Sequence, residues 1–380
     1  MIRTLPVLFL AVACTDKPAP DLCAEAGNIC TVVGTGLAGL GQEDVPAETS
    51  YLYLPQDLTF GPDNQPYILD WNNHRIRTVT SDGNIHTVMG NGLLGDGPEG
   101  PALDARLNHP TNLAFDGTGK MLIAAWHNSR IERMDLTTGN MEYLCGNGGR
   151  GYNGDGIAAR DATLDLPSSV VMDDNGNVIF TDQANQQVRM VDSDDIIWDM
   201  AGTQRVQGYS GDGGPADQAK IYGTVGQAAD PSNRLSIDGN TLYMADSGNH
   251  VIRVIDMTTW TIDTYAGQHT CDEAGDCVAV PGTADGDRLE AQFYNPADVQ
   301  VGPEGELYVA DTFNSCVRVI WADGTVETVA GQCGVPGFEG DEGPAADALL
   351  YRPYGITLDR DHNLWIADTY NHRIRVVTGG

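Results

Sequence analysis

Several positions spread through the chain carry side chains suited to one shared polar site. Asp57, Asn112, Ser169 and Asp298 each stand two residues after a proline (Pro55, Pro110, Pro167, Pro296), and Gly355 follows Pro353 in the same way. In the corresponding stretch at Thr224 the proline is absent, and counting from Thr224 puts Gly226 in register. Brought together, the oxygens of Asp57, Asn112 and Asp298 would make a ring able to hold one divalent cation such as calcium, or a hydroxylated ligand. A second group is aromatic. Trp71, Trp126, Phe313 and Tyr370 lie in turns that follow a recurrent aspartate position, and His127 follows Trp126. Aromatic rings around an opening make a platform for a carbohydrate or a peptide; packing between adjacent turns is the structural alternative. His109 and His127 stand outside any repeated pattern. Two imidazoles fall short of the three protein ligands usual at catalytic zinc. No Ser–His–Asp or Cys–His grouping can be placed.

The elements that must position these residues come from a long repeat. The stretch A-D-T-Y-N-H-R-I-R-V-V from Ala367 has close copies at Leu69, Ala245 and Ala310 and looser ones at Ala124 and Thr181. Aligned on the apolar residue after the turn, the six copies fall 55 to 65 residues apart. A fixed period of this kind specifies a repeat architecture. In the fifth unit, A-D-V-Q-V, E-L-Y-V-A-D, C-V-R-V-I-W and V-E-T-V-A-G alternate with the turns G-P-E-G, T-F-N-S and A-D-G-T. This reads as a four-stranded antiparallel meander, and six of them closed into a ring make an all-β, six-bladed β-propeller. The sixth unit stops after its third strand at R-I-R-V-V, while Asn28–Gly34 (N-I-C-T-V-V-G) matches the missing fourth strand. The N-terminal strand is therefore expected to pair with Ile374–Val377 and close the ring.

The blade pattern D-x-x-N-H-R-[IV]-R, with G-D-G-G-P-A loops between units and a proline before the next inner strand, resembles the NHL-repeat family from about Asn28 to Gly380. The resemblance implies a six-bladed propeller, often extracellular in bacteria and used mainly for binding. Asn73, Asn128, Asn185, Asn249, Asn314 and Asn371 recur in all six units, and Asp70, Asp182, Asp246, Asp311 and Asp368 in five. Residues present in every blade read as turn formers rather than as one active site. Arg77, Arg189, Arg253, Arg318 and Arg375 recur on the third strand and suit packing or pairing between neighbouring blades, those aspartates among the partners, rather than ligand binding. Asp96, Asp155, Asp212 and Asp341 stand nearly alone in glycine-rich loops, a turn pattern rather than a calcium loop. The second unit departs most, with Ala125 for the aspartate and Glu132 for the arginine.

Residues 1–14 combine one arginine, an apolar run and small residues before Cys14, a pattern similar to the lipobox of bacterial lipoproteins. Cys14 is then the lipidated residue, 15–27 a linker and 28–380 the propeller, tethered to the cell envelope (outer membrane by its sorting signal) or secreted. With a net charge of −32 and only three lysines, the chain lacks the basic face that nucleic acid requires. Disulfides are expected for Cys271–Cys277, Cys23–Cys30 and Cys316–Cys333, with Cys145 a buried free thiol. Two functions compete. One is a binding module that presents the channel-mouth face to a protein, peptide or glycan. The other is a metal-dependent propeller enzyme with its site in the channel, either similar to the lactonases, which use a Glu-Asn-Asp set, or to the peptidyl-hydroxyglycine lyases, which use zinc. An inert surface-coat protein is a third, weaker reading.

Overall fold

The computed structural model describes residue 23, residues 25–226 and residues 229–379. The expected signal segment and Cys14 lie outside them. Among the described residues, six antiparallel blades stand around a central axis, five built on four consecutive strands and the sixth on three plus the N-terminal strand. A separate two-stranded hairpin pairs His269–Cys271 with Cys277–Ala279. In blade 5 the four strands are Asp298–Val301, Leu307–Asp311, Cys316–Ile320 and Thr325–Ala330, from the axis outward. Each meander gains one strand beyond the four read from the sequence. A two-residue segment of the loop before each blade, such as Gly286–Asp287, pairs with that blade's outermost strand. That contact gives the exposed outer edge a partner.

The ring closes as the sequence indicates. Asn28–Val33 lies antiparallel to Arg373–Val377, with Cys30 opposite Val376 and Ile29 opposite Val377. One core cluster spans this seam, joining Cys30 and Val33 to Ile374 and Val376 of blade 6 and to Leu58, Ile68 and Ile85 of blade 1. The other clusters likewise lie between adjacent blades. Apolar side chains on the facing surfaces of neighbouring sheets thus supply the burial that no single blade provides. Three disulfides connect the expected cysteines, Cys23–Cys30, Cys271–Cys277 and Cys316–Cys333. Cys145 is free and buried, and burial pushes its thiol up to about 12.

The repeated residues build the same hydrogen-bonded turn from blade to blade. Asp311 accepts the Tyr294 N–H at 2.8 Å with one oxygen, and the Asn314 amide (2.8 Å) and Arg318 guanidinium (3.2 Å) with the other. Asn314 also donates to the Gly282 carbonyl at 2.6 Å. The last turn residue takes the left-handed conformation in all six blades (His74, Ser129, Gln186, His250, Ser315, His372). From there its side chain reaches the following blade: Nδ1 of His372 accepts the Leu54 N–H and Nδ1 of His250 the Asn295 N–H, both at 3.1 Å. These histidines are structural. Asn314→Ala, which removes both amide bonds from a buried turn, is expected to cost about 1–2 kcal/mol in urea denaturation. A loss below a few tenths would show that the turn does not depend on them.

Candidate functional site

The inner strands place six residues in one ring near the channel mouth: Asp57, Asn112, Ser169, Arg234, Asp298 and Gly355. Five of these are the positions read from the sequence. The fourth is not Gly226. The inner strand of blade 4 is Leu235–Asp238, with Leu235 opposite Met244, and Arg234 bonded to Ala245 at the position Asp298 holds opposite Ala310. The blade 4 sequence is longer here than in the other blades, and the described residues 229–233 that lead into Arg234 reach neighbouring blades. Asp230 accepts a hydrogen bond from the Tyr354 hydroxyl of blade 6 at 2.9 Å, and the Ser232 carbonyl one from Ser168 of blade 3 at 2.6 Å. The missing proline at Thr224 marks this insertion. Counting backward from Asp246, with allowance for the shorter D-G-N turn, would have located Arg234.

Arg234 fills the space the ring encloses. It is fully buried, and Nη1 lies 3.1 Å from Asp57 Oδ1, 3.3 Å from Asp298 Oδ2 and 3.2 Å from the Tyr354 carbonyl. Nη2 donates to the carbonyls of Gln56 (2.9 Å) and Thr111 (2.5 Å). One side chain of blade 4 thereby ties blades 1, 2, 5 and 6 together. The ring side chains also bond the next blade's backbone. Asp57 accepts the Leu113 N–H (2.8 Å), Asn112 the Val170 N–H (2.7 Å), Ser169 the Leu235 N–H (3.0 Å) and Asp298 the Ile356 N–H (3.0 Å). Asn112 donates its amide to Asp57 at 2.9 Å. At Gly355 an added Cβ would lie 2.6 Å from Asp57 Oδ1 and 2.7 Å from its Cα, so blade 6 contributes no side chain.

This arrangement bears on the expected metal set. Asp57, Asn112 and Asp298 do converge, but on a guanidinium, and their oxygens already accept hydrogen bonds from Arg234, backbone N–H groups and one another. Calcium would need those same oxygens free and the guanidinium removed. The donor set therefore does not fit a divalent cation. Burial pushes the carboxyl groups of Asp57 and Asp298 above the usual carboxylate range, against the opposing pull of Arg234.

Above the ring lies the mouth face, where a second sixfold pattern appears. In each blade the N–H of a turn residue donates to the carbonyl of the residue leading into the inner strand, as Phe313 does to Tyr294, Tyr370 to Tyr351, Asn72 to Tyr53 and His127 to Asn108. The corresponding pairs in blades 3 and 4 are Ala184 with Asp165 and Gly248 with Tyr222. Aromatic side chains stand at these positions in blades 4, 5, 6 and 1 (Tyr222, Tyr294, Tyr351, Tyr53), and the exposed ones lie on one half of the mouth, over blades 5, 6 and 1. Tyr294 meets Phe313 edge-on at 5.4 Å and Tyr351 meets Tyr370 at 5.2 Å, with Arg352 over the Phe313 ring at 4.4 Å. Tyr294, Tyr351 and Tyr53 are exposed, and sequence reasoning missed all three; each precedes its turn aspartate by the same 17 residues.

The four aromatics singled out from sequence divide here. Phe313 and Tyr370 are second residues of their turns and lie half-buried against the exposed Tyr294 and Tyr351, whereas Trp71 and Trp126 are first residues. Trp126 is 1% exposed and stacked on His127 at 4.2 Å, so it packs in the interior and offers no face to a ligand. Trp71 is half-buried and lies 4.5 Å from the His109 ring, which in turn meets His74 and His127. Burial lowers His109 and His127 to about 4, helped at His109 by its histidine neighbours and at His127 by Arg150.

The substitutions in blade 2 prove to be linked. In the other five blades a fully buried arginine of the third strand faces the turn aspartate, as Arg318 faces Asp311 at 3.2 Å and Arg189 faces Asp182 at 3.5 Å. Blade 2 has lost both partners. Asn128 Oδ1 replaces the missing carboxylate by accepting the Asn108 N–H at 2.8 Å, and Glu132 occupies the arginine's place, 1% exposed. Burial, with Asp96 adding and Arg130 opposing, pushes the Glu132 carboxyl up to about 8.

The family described as the Teneurin NHL domain matches residues 29–378, essentially the whole propeller. The chain belongs to that NHL family. Human Teneurin-1 is 25% identical over 366 residues, which are 88% of this chain and 12% of Teneurin-1. The NHL propeller thus spans a small part of that relative. The chloroplastic Protein SUPPRESSOR OF QUENCHING 1 of Arabidopsis thaliana is 27% identical over 290 residues, 73% of this chain and 26% of that protein. Among solved structures, an auxiliary nutrient binding protein from Bacteroides thetaiotaomicron superposes with a TM-score of 0.65 at 18% identity, over 92% of this chain and 75% of the other. That likeness is one of fold.

Proposed function

We propose that this NHL propeller is an exported, lipid-anchored binding module that engages a protein, peptide or glycan through the aromatic half of its mouth face. The observation that carries the reading is a contrast between channel and rim. Arg234 and its bonded ring close the channel, while Tyr294, Phe313, Tyr351, Tyr370 and Tyr53 stand at its mouth, and the loops between blades also expose Leu37, Leu40, Leu93 and Phe338. A contiguous apolar surface on one face, rimmed by polar groups, is the usual mark of a binding surface. Flat aromatic rings supply large contact area at small entropic cost. A protein of similar fold gives parallel support, since the Bacteroides thetaiotaomicron neighbour is described as an auxiliary nutrient binding protein. The three disulfides suit an oxidising, extracytoplasmic compartment, in agreement with the lipid-attachment pattern at Cys14. A hydrolase or lyase site in the channel would require substrate where the Arg234 side chain lies.

Screening the purified protein against glycan and peptide arrays, then titrating the best ligand, tests this. Substituting Tyr294 and Tyr351 by alanine is expected to weaken binding at least tenfold, the equivalent of about 1.4 kcal/mol. Trp198→Ala, on an exposed outer strand, should leave it unchanged. Undiminished binding by the double variant would exclude the mouth face as the site.

A further inference from the structure

Where blades 1 and 2 meet on the mouth face, three donor atoms converge without a partner that suits them. His109 Nε2 lies 3.3 Å from Asn72 Oδ1. An amide oxygen only accepts, so Nε2 carries the ring proton and Nδ1 presents a lone pair. That lone pair faces Asn108 Oδ1 at 3.1 Å, another acceptor, and His127 Nδ1 at 3.1 Å. His127 can donate to that lone pair from Nδ1, but its buried Nε2 is then a bare acceptor and the Asn108 oxygen still faces the His109 lone pair; a cation among the three atoms gives each lone pair a partner. Around them, the buried Nε2 of His127, Nδ1 of His74 and Nε1 of Trp71 have no hydrogen-bond partner among the described residues. The network is therefore incomplete as it stands.

We propose that Asn108, His109 and His127 form a site for a late first-row divalent cation at the rim between blades 1 and 2. The spacing suits such an ion. With metal–nitrogen bonds of about 2.0–2.1 Å, two nitrogens at a tetrahedral angle sit about 3.3 Å apart, close to the separation of the two Nδ1 atoms. Imidazole nitrogen favours zinc, copper and nickel over calcium and magnesium, which prefer all-oxygen shells. The bond from His109 Nε2–H to Asn72 is the outer contact that orients a ligating imidazole and fixes its tautomer. Stacking on Trp126 holds the His127 ring in its plane. The left-handed backbone of His109 (φ 56°) turns the residue away from the inner strand and toward this rim. Three protein donors leave a fourth position for water or for a group of a bound partner. The site is separate from the Arg234 ring and does not depend on the binding reading above.

The test uses untagged full-length protein and zinc alone, in competition with a chromophoric chelator. One zinc per chain is expected, accompanied by a rise in Tm. His109→Ala and His127→Ala should each weaken binding at least tenfold and abolish the Tm rise. Asn108→Asp should tighten it. His250→Ala, at the equivalent turn of blade 4, should change nothing. His127→Gln, which preserves the packing, serves if the alanine variant does not fold, and should weaken zinc to the same extent. No zinc binding by the wild type, or equal binding by the wild type and the double histidine variant, would mean that cations are held only by the acidic surface, and the site would be refuted. Equal affinity of Asn108→Asp and the wild type would overturn the three-donor set.

Discussion

Arg234→Met is expected to destabilise the propeller by about 3–5 kcal/mol, the cost of removing one partner from a buried ion cluster. The side chain donates to two carboxylates and three carbonyls, and none of these groups can turn to water, because Gln56, Asp57, Thr111, Asp298 and Tyr354 are all buried. Without the guanidinium, Asp57 and Asp298 become two uncompensated buried acids. Their carboxyl groups are already raised by burial and would rise further. A raised folded-state value means the folded protein holds protons that the unfolded chain releases, so stability falls as pH rises above the unfolded value near 4. The defect in Arg234→Met should accordingly be smaller at pH 5 than at pH 8. Replacing Asp57 and Asp298 by asparagine in the same chain should recover much of the loss, because the charges leave together. Urea denaturation at both pH values measures all of this. A loss below 1 kcal/mol, or one independent of pH, would show that Arg234 does not hold the blades together.

Glu132→Gln is expected to stabilise the protein, and only above acidic pH. Glu132 is buried, lacks the arginine–aspartate pair found in other blades, and titrates near 8 when folded against an ordinary value of 4.5. Below about pH 4.5 the carboxyl is protonated in both states and contributes no difference. Between there and about pH 8 the unfolded chain gains from ionisation while the folded one does not, a penalty approaching 3 kcal/mol at pH 7 by proton linkage. The amide removes this penalty at the cost of a new buried polar group. The variant and the wild type should therefore diverge as pH rises from 4.5 to 8 in parallel denaturation series. Parallel stability curves would place the Glu132 carboxyl outside the buried, protonated state.

The two predictions come from different layers of the sequence. Glu132 stood out at once, because five other blades show what belongs at its position. The period, the turn chemistry around Asn314 and Asp311, the seam between Cys30 and Val376 and all three disulfides were legible for the same reason. Each rests on contacts within a blade or between strands whose patterns repeat, and repetition turns a weak local preference into a register. The candidate site was legible only in part. Asp57, Asn112 and Asp298 were found because a proline marks the start of each inner strand, and their convergence follows from the ring. The aromatic half of the mouth was glimpsed through Phe313 and Tyr370, while Tyr294 and Tyr351 escaped notice because they precede the strand instead of lying in the turn.

The architecture is written in the residues: local turns and alternating strands are encoded by neighbours in the chain, and six copies of one blade admit one closed arrangement. The character of the centre, by contrast, emerges from packing. An insertion shifts the register of blade 4, and whether an arginine there faces solvent or fills the axis depends on oxygens contributed by four other blades, tens to hundreds of residues away. The same holds for Trp126, exposed by its place in a turn yet buried by its neighbours, and for His109 and His127, whose nitrogens meet because the two stretches are brought together at the rim. Such sums of distant groups have no signature in any one stretch of chain.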